Sequence, residues 1–130
     1  MSRTADPIII AAEPQLFVSD IGAALAFYVD RLGFTLALSY GEPPFYAQVR
    51  RGGARLNLRL AEASIVGGTV RAREPDALSA TIAVDGIEAL SSAYESAGVE
   101  WHQRLQREAW GARTFIVRDP DGNLIAFAGD

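Results

Sequence analysis

The chain has 130 residues, 49% hydrophobic and 22% charged, the size and composition of a single globular domain that can build its own core. It contains no cysteine, which excludes disulfides, thiolate metal sites and a cysteine nucleophile. The net charge of −4, with basic residues scattered apart from Arg50-Arg51 and the loop pair Arg71 and Arg73, speaks against a nucleic-acid surface and weakly favours a cationic small ligand.

Met1 to Pro7 precede only three aliphatics, Ile8 to Ile10, too few for a signal-peptide core or a membrane span. A cytoplasmic location with no membrane partner is therefore expected. Gln15 to Val18 alternate polar and apolar, the period of a half-buried strand. Ser19 or Asp20 then caps a helix whose apolar positions Ile21, Ala24, Leu25, Tyr28 and Leu32 share one stripe, and Gly33 is placed to end it. Phe34 to Ser39, Phe45 to Arg50 and Ala54 to Leu60 read as strands, separated by the loop Gly41-Glu42-Pro43-Pro44 and the hairpin turn Arg51-Gly52-Gly53. Ala61 to Asp76 reads as a connection holding at most a short strand or turn.

The second half repeats the order. Leu78 to Val84 is a strand, Ile87, Leu90, Tyr94 and Ala97 mark a helix stopped by Gly98, and strands follow at Val99 to Leu105, Arg113 to Arg118 and Asn123 to Ala128. Asp119-Pro120-Asp121-Gly122 joins the last two as a hairpin, with proline presetting φ and glycine free to take a positive φ. Ser19-Asp20-Ile21 through Tyr28 to Gly33 is matched by Val84-Asp85-Gly86-Ile87 through Tyr94 to Gly98, half a chain length later, so the sequence reads as a duplicated unit.

Asp20-Ile21, Phe27-Tyr28, Leu32-Gly33-Phe34, Trp110-Gly111 and Arg118-Asp119-Pro120-Asp121-Gly122-Asn123 together resemble the vicinal oxygen chelate superfamily, and within it most closely the bleomycin-resistance proteins, from Glu13 to Phe127. The resemblance implies an α+β fold. A single domain, 1–130, would hold two βαβββ modules, about 8–62 and 77–130, forming a curved mixed sheet with a concave ligand cleft and helices on the convex side. Metal-dependent members of the superfamily carry His, Gln or Glu ligands at inward strand positions that fall here on Glu13, Asn57, Ser79 and Ala126. Ala126 has no donor and Ser79 a poor one, whereas a catalytic divalent ion needs at least three N or O donors, so no metal and no other cofactor is expected.

If Gln15 and Phe17 point into the cleft, alternation adds Arg55, Asn57, Arg59, Ser79, Thr81 and Ala83, and sends Leu16, Val18, Leu56, Leu58, Ile82, Val84, Ile125 and Phe127 to the core. Glu13 is either a general base or the partner of Arg55 or Arg59, and an unpaired buried carboxylate is the costlier state. His102, the single histidine, has no Cys or second His to work with, while a Ser or Asp partner stays open. Phe45, followed by Tyr46, and Trp110 match the aromatic places between which bleomycin-resistance proteins hold the planar tail of the drug. Either ring could instead serve the core or a subunit interface. Pro14 matches the hinge at which those proteins exchange an N-terminal strand, which implies a homodimer, whereas an edge strand protected by Pro14 would allow a monomer.

The expectation is a metal-free binder of a flat, antibiotic-like small molecule, with Phe45, Trp110, Tyr46, Gln15, Phe17, Asn57, Arg59 and Thr81 as ligand residues and no catalytic residue. The alternatives are a lyase, isomerase or dioxygenase-like enzyme of the same superfamily and a scaffold with a vestigial cleft.

Overall fold

The structure, a computed structural model, describes residues 6–62 and 68–130. Two four-stranded sheets share one continuous apolar core. The first contains β1 (Gln15–Val18), β2 (Thr35–Tyr40), β3 (Tyr46–Arg51) and β4 (Ala54–Leu60) in the order β1-β4-β3-β2. The second contains β5 (Ala80–Ala83), β6 (Glu100–Arg107), β7 (Arg113–Arg118) and β8 (Leu124–Gly129) in the equivalent order β5-β8-β7-β6. In each sheet the first strand is parallel to the last and the other pairs are antiparallel. The fold is therefore α+β, two βαβββ units, as the duplication and the resemblance imply. Among the described residues no helix is long and apolar enough to cross a membrane.

The first helix departs from its predicted form. α1 (Ile21–Leu25) is regular, with the Asp20 carboxylate accepting from the Ala23 amide at 3.0 Å, but Ala26–Arg31 continues as a π-helix. The Leu32 amide reaches back five residues to the Phe27 carbonyl. The wider turn lets the adjacent Phe27 and Tyr28 both bury, their rings edge-on at 4.9 Å. Where the connection was read as a strand or turn, the structure has a short helix, α2 (Thr69–Arg73), because the Arg71 guanidinium holds the carbonyls of Glu74, Pro75 and Ala77. The part of that connection at 63–67 lies outside the described residues. α3 (Ile87–Ala97) ends at Gly98 with φ of +73°, as expected, but its start has no side-chain cap and Gly86 stands at the cap position.

Leu16, Val18, Leu56, Leu58, Ile125 and Phe127 are buried, as their alternation requires. Ile82 and Val84 are only half-buried, because they line an open groove between β4, β5 and α3. Tyr94, Phe115 and Phe127 form the centre of the second half, with Phe115 and Phe127 stacked at 5.0 Å. Each helix tyrosine reaches the opposite unit. The Tyr28 hydroxyl donates to Asp119 at 2.8 Å, and the Tyr94 hydroxyl donates to the Leu32 carbonyl at 2.7 Å beside Arg51.

Candidate functional site

The helices cover one face of each sheet, and on the first sheet the other face is exposed at Gln15, Arg55 and Arg59. On the open face of the first sheet, register sets Gln15, Asn57 and Gln48 in one row and Phe17, Arg59, Tyr46 and Tyr40 in the next. Gln48 ties the first row together, its side-chain amide donating hydrogen bonds to Asn57 at 2.8 Å and to Glu13 at 2.9 Å. Glu13 also lies 3.8 Å from Arg55, so its carboxylate is paired. On the second sheet, Thr81, Ala126, Ile116 and Gln103 share a row.

The four positions that would ligate a metal do not fit one. Glu13 is engaged by Gln48 and Arg55, Asn57 is bonded to Gln48, the Ser79 hydroxyl donates to Asn123 at 2.9 Å, and Ala126 is a buried methyl. Among the described residues no group of three or more His, Cys, Asp or Glu side chains could hold an ion. His102 is likewise occupied. Its Nδ1 lies 3.1 Å from the Arg118 guanidinium and its Nε2 2.7 Å from the Asp76 carboxylate, so both ring nitrogens are engaged.

The two rings singled out in the sequence stand on separate loops. Phe45, 45% exposed, lies edge-on to Tyr40 at 5.6 Å, and its backbone is bonded to Tyr40 and Leu60. Gly41 makes this possible, since its φ of +101° suits glycine and a Cβ there would run into the Phe45 ring. Trp110, 76% exposed, sits between β6 and β7, and among the described residues no ring contact joins it to Phe45. Trp101, the other tryptophan, packs against Phe115 in the core.

Several participants were missed by reasoning from sequence. Glu108 sits at the base of the Trp110 loop and accepts bonds from Thr114, from Gln103 at 2.9 Å and from Gln106 at 3.4 Å. These donors, Thr114 first and Gln103 next, hold its carboxyl below the usual glutamate range. Arg107 grips the Gly111 carbonyl at 2.6 Å, so the loop is tied on both sides of Trp110. A carboxylate two residues before an exposed tryptophan, flanked by inward Gln and Thr, was the available signal. Tyr40, Gln48 and Arg50 were also unmarked.

A groove of about 850 Å³ opens between the start of β4, β5 and α3, lined by Arg55, Thr81, Ile82, Val84 and Leu90, with Ala12 and Pro14 at its edge. Thus Thr81 belongs to this groove and to the second sheet, while Gln15, Phe17, Tyr46, Asn57 and Arg59 share the face of the first.

The sequence profile of the glyoxalase/bleomycin resistance protein/dioxygenase superfamily matches residues 9–127. A bleomycin resistance protein of Geobacillus stearothermophilus is 32% identical over 126 residues, covering 88% of this chain and 92% of its own. Among solved structures, a bleomycin-binding protein from bleomycin-producing Streptomyces verticillus, complexed with copper(II)-bleomycin, superposes with a TM-score of 0.76 at 28% identity, covering 96% of this chain and 99% of its own. A lactoylglutathione lyase of Agrobacterium tumefaciens shares the fold at a TM-score of 0.70 and 21% identity, covering 95% of this chain and 96% of its own. On its profile match and its relatives, the chain belongs to the glyoxalase/bleomycin resistance protein/dioxygenase superfamily.

Proposed function

We propose that this protein is a metal-free small-molecule binder that sequesters a flat, antibiotic-like ligand of the bleomycin type without changing it chemically. The observation that carries the reading is a pairing of presence and absence among the described side chains. Two aromatic rings stand exposed on tied loops, while the positions that serve metal chemistry elsewhere in the superfamily are engaged by neighbouring side chains or lack a donor atom. Planar ligands bury large area on such rings at small conformational cost. The relatives named bleomycin resistance and bleomycin-binding proteins support the same role.

The acting form is a homodimer with exchanged N-terminal strands. Ile8, Ile9 and Ile10 are 84%, 94% and 93% exposed, an apolar run that a lone chain leaves in water. Pro14 separates them from β1, and the groove beside the free edge of β5 is a place where a partner's strand fits. Exchange would also bring Trp110 of one chain toward Phe45 of the other.

Titration with metal-free bleomycin in the presence of a chelator, followed by tryptophan fluorescence, tests the reading. Saturable quenching that Trp110→Phe removes is the expected result. Absence of any response at millimolar ligand, or turnover of a substrate that requires an added divalent ion, overturns it.

A further inference from the structure

The open face of the first sheet is positively charged in an acidic protein. Register puts Arg50 beside Arg55 and Arg59 beside Tyr46, and alternation along β3 and β4 sets all three on the face away from buried Ala47, Val49, Leu56 and Leu58. The carboxylate bonded on this face, Glu13, is already held by Gln48 and Arg55. Three guanidiniums against one carboxylate leave a surplus of two positive charges, and Arg50 and Arg59 make no hydrogen bond or ion pair among the described residues.

Arg50 and Arg59 differ in setting. Arg50 stands at the hairpin end of the face beside Thr35 and Arg55. Arg59 stands in the aromatic row, between Phe17 and Tyr46, with Tyr40 next and the Phe45 ring edge-on to Tyr40. A guanidinium is a rigid planar fork of donors, matched to the two oxygens of a carboxylate, sulfonate or phosphate, and it is less strongly hydrated than an ammonium. A ring laid on this row would place its substituent at that fork.

We propose that this face takes a flat ligand bearing an anionic oxygen group, and that Arg59 is the residue that pairs with that group and sets the preference. The inference rests on the reading that this face binds a flat ligand, and it replaces the cation that whole-chain charge suggests. Surface carboxylates beyond about 8 Å are screened at physiological salt, so the local guanidinium outweighs the distant net charge.

The test uses three probes of one ring and different charge: naphthalene-sulfonate, naphthalene-methanol and naphthyl-methylammonium, each titrated calorimetrically at physiological salt. The sulfonate is expected to bind about tenfold tighter than the alcohol, with the ammonium weakest. Arg59→Gln brings the sulfonate down to the level of the alcohol, and an unchanged circular dichroism spectrum shows that the variant is folded. Arg59→Lys retains part of the preference, and Arg50→Gln leaves the order of the probes intact. Tighter binding of the ammonium, or a sulfonate preference that survives Arg59→Gln, overturns the inference. Equal binding of all three probes overturns it while leaving the flat-ligand reading standing, and failure of all three to bind overturns both.

Discussion

The Tyr28 hydroxyl donates to the Asp119 carboxylate at 2.8 Å across 91 residues of sequence, with Tyr28 fully buried and Asp119 only 2% exposed. The same carboxylate accepts the amides of Asp121 and Asn123 and the Asn123 side chain, so the hairpin is built around it and then fastened to the first helix. Removing the hydroxyl leaves a buried acceptor short of a partner. Tyr28→Phe is expected to lower the unfolding free energy by about 1–3 kcal/mol, measured by urea denaturation.

Asp119 also predicts a pH dependence. Burial pushes its carboxyl above the usual aspartate range, and the bonds from Asn123 and Tyr28 pull it only part of the way back. A raised value in the fold means that its contribution to stability is fully present below the unfolded value of about 3.9 and is lost as pH rises through the folded value. The stability difference between the native protein and Asp119→Asn therefore shrinks with rising pH across that window and is flat above it. A difference that grows with pH contradicts this account.

Glu108 has the opposite sign. Its carboxyl is held low by donors that favour the charged form, Thr114 first and Gln103 next, so its hold on the Trp110 loop is present above the ordinary glutamate range and is lost as pH falls through the folded value. Steady-state anisotropy of Trp110, read in a Trp101→Phe background, is expected to fall in acid and to be low at all pH values in Glu108→Ala.

Gly41 holds the Phe45 ring by leaving room for it. An alanine there meets both a φ of +101° and the ring itself. Gly41→Ala is expected to cost about 1–3 kcal/mol and to weaken flat-ligand binding along with stability, whereas Phe45→Ala weakens binding with the smaller loss expected of a half-exposed side chain.

The exposed isoleucines make the oligomeric state testable. Ile9→Asp places a charge in the middle of the Ile8 to Ile10 run and is expected to convert a dimer to a monomer in light scattering, with the Tyr28 to Asp119 bond and the core unaffected.

Much of this architecture was legible because it is periodic. Leu16 and Val18, and Leu56 and Leu58, recur at every second position and are buried as that alternation demands, and Gly98 ends α3 and Gly122 closes the β7–β8 turn with positive φ. The π-helical turn was not legible, since one turn of apolar spacing fits either helix. Ile82 and Val84 carry a core pattern, but they line an open groove between β4, β5 and α3, and how closely neighbouring elements cover a strand is not encoded in its alternation. The pairing of Glu13 with Arg55 follows from the cost of an unpaired carboxylate, whereas the facing of Arg50 and the grip of Glu108 on its loop arise from register and from side chains meeting across a hairpin.

The reciprocal tyrosines bear on how such a protein adapts to its cargo. Because each half is bolted to the other through a buried phenol, swinging the halves like jaws would break both bonds and leave buried polar groups unpaired. Accommodation of shape is left to the lips, residues 41–45 and 108–112, so a change of ligand in evolution or by design should begin there and at Arg59, and spare the bolts.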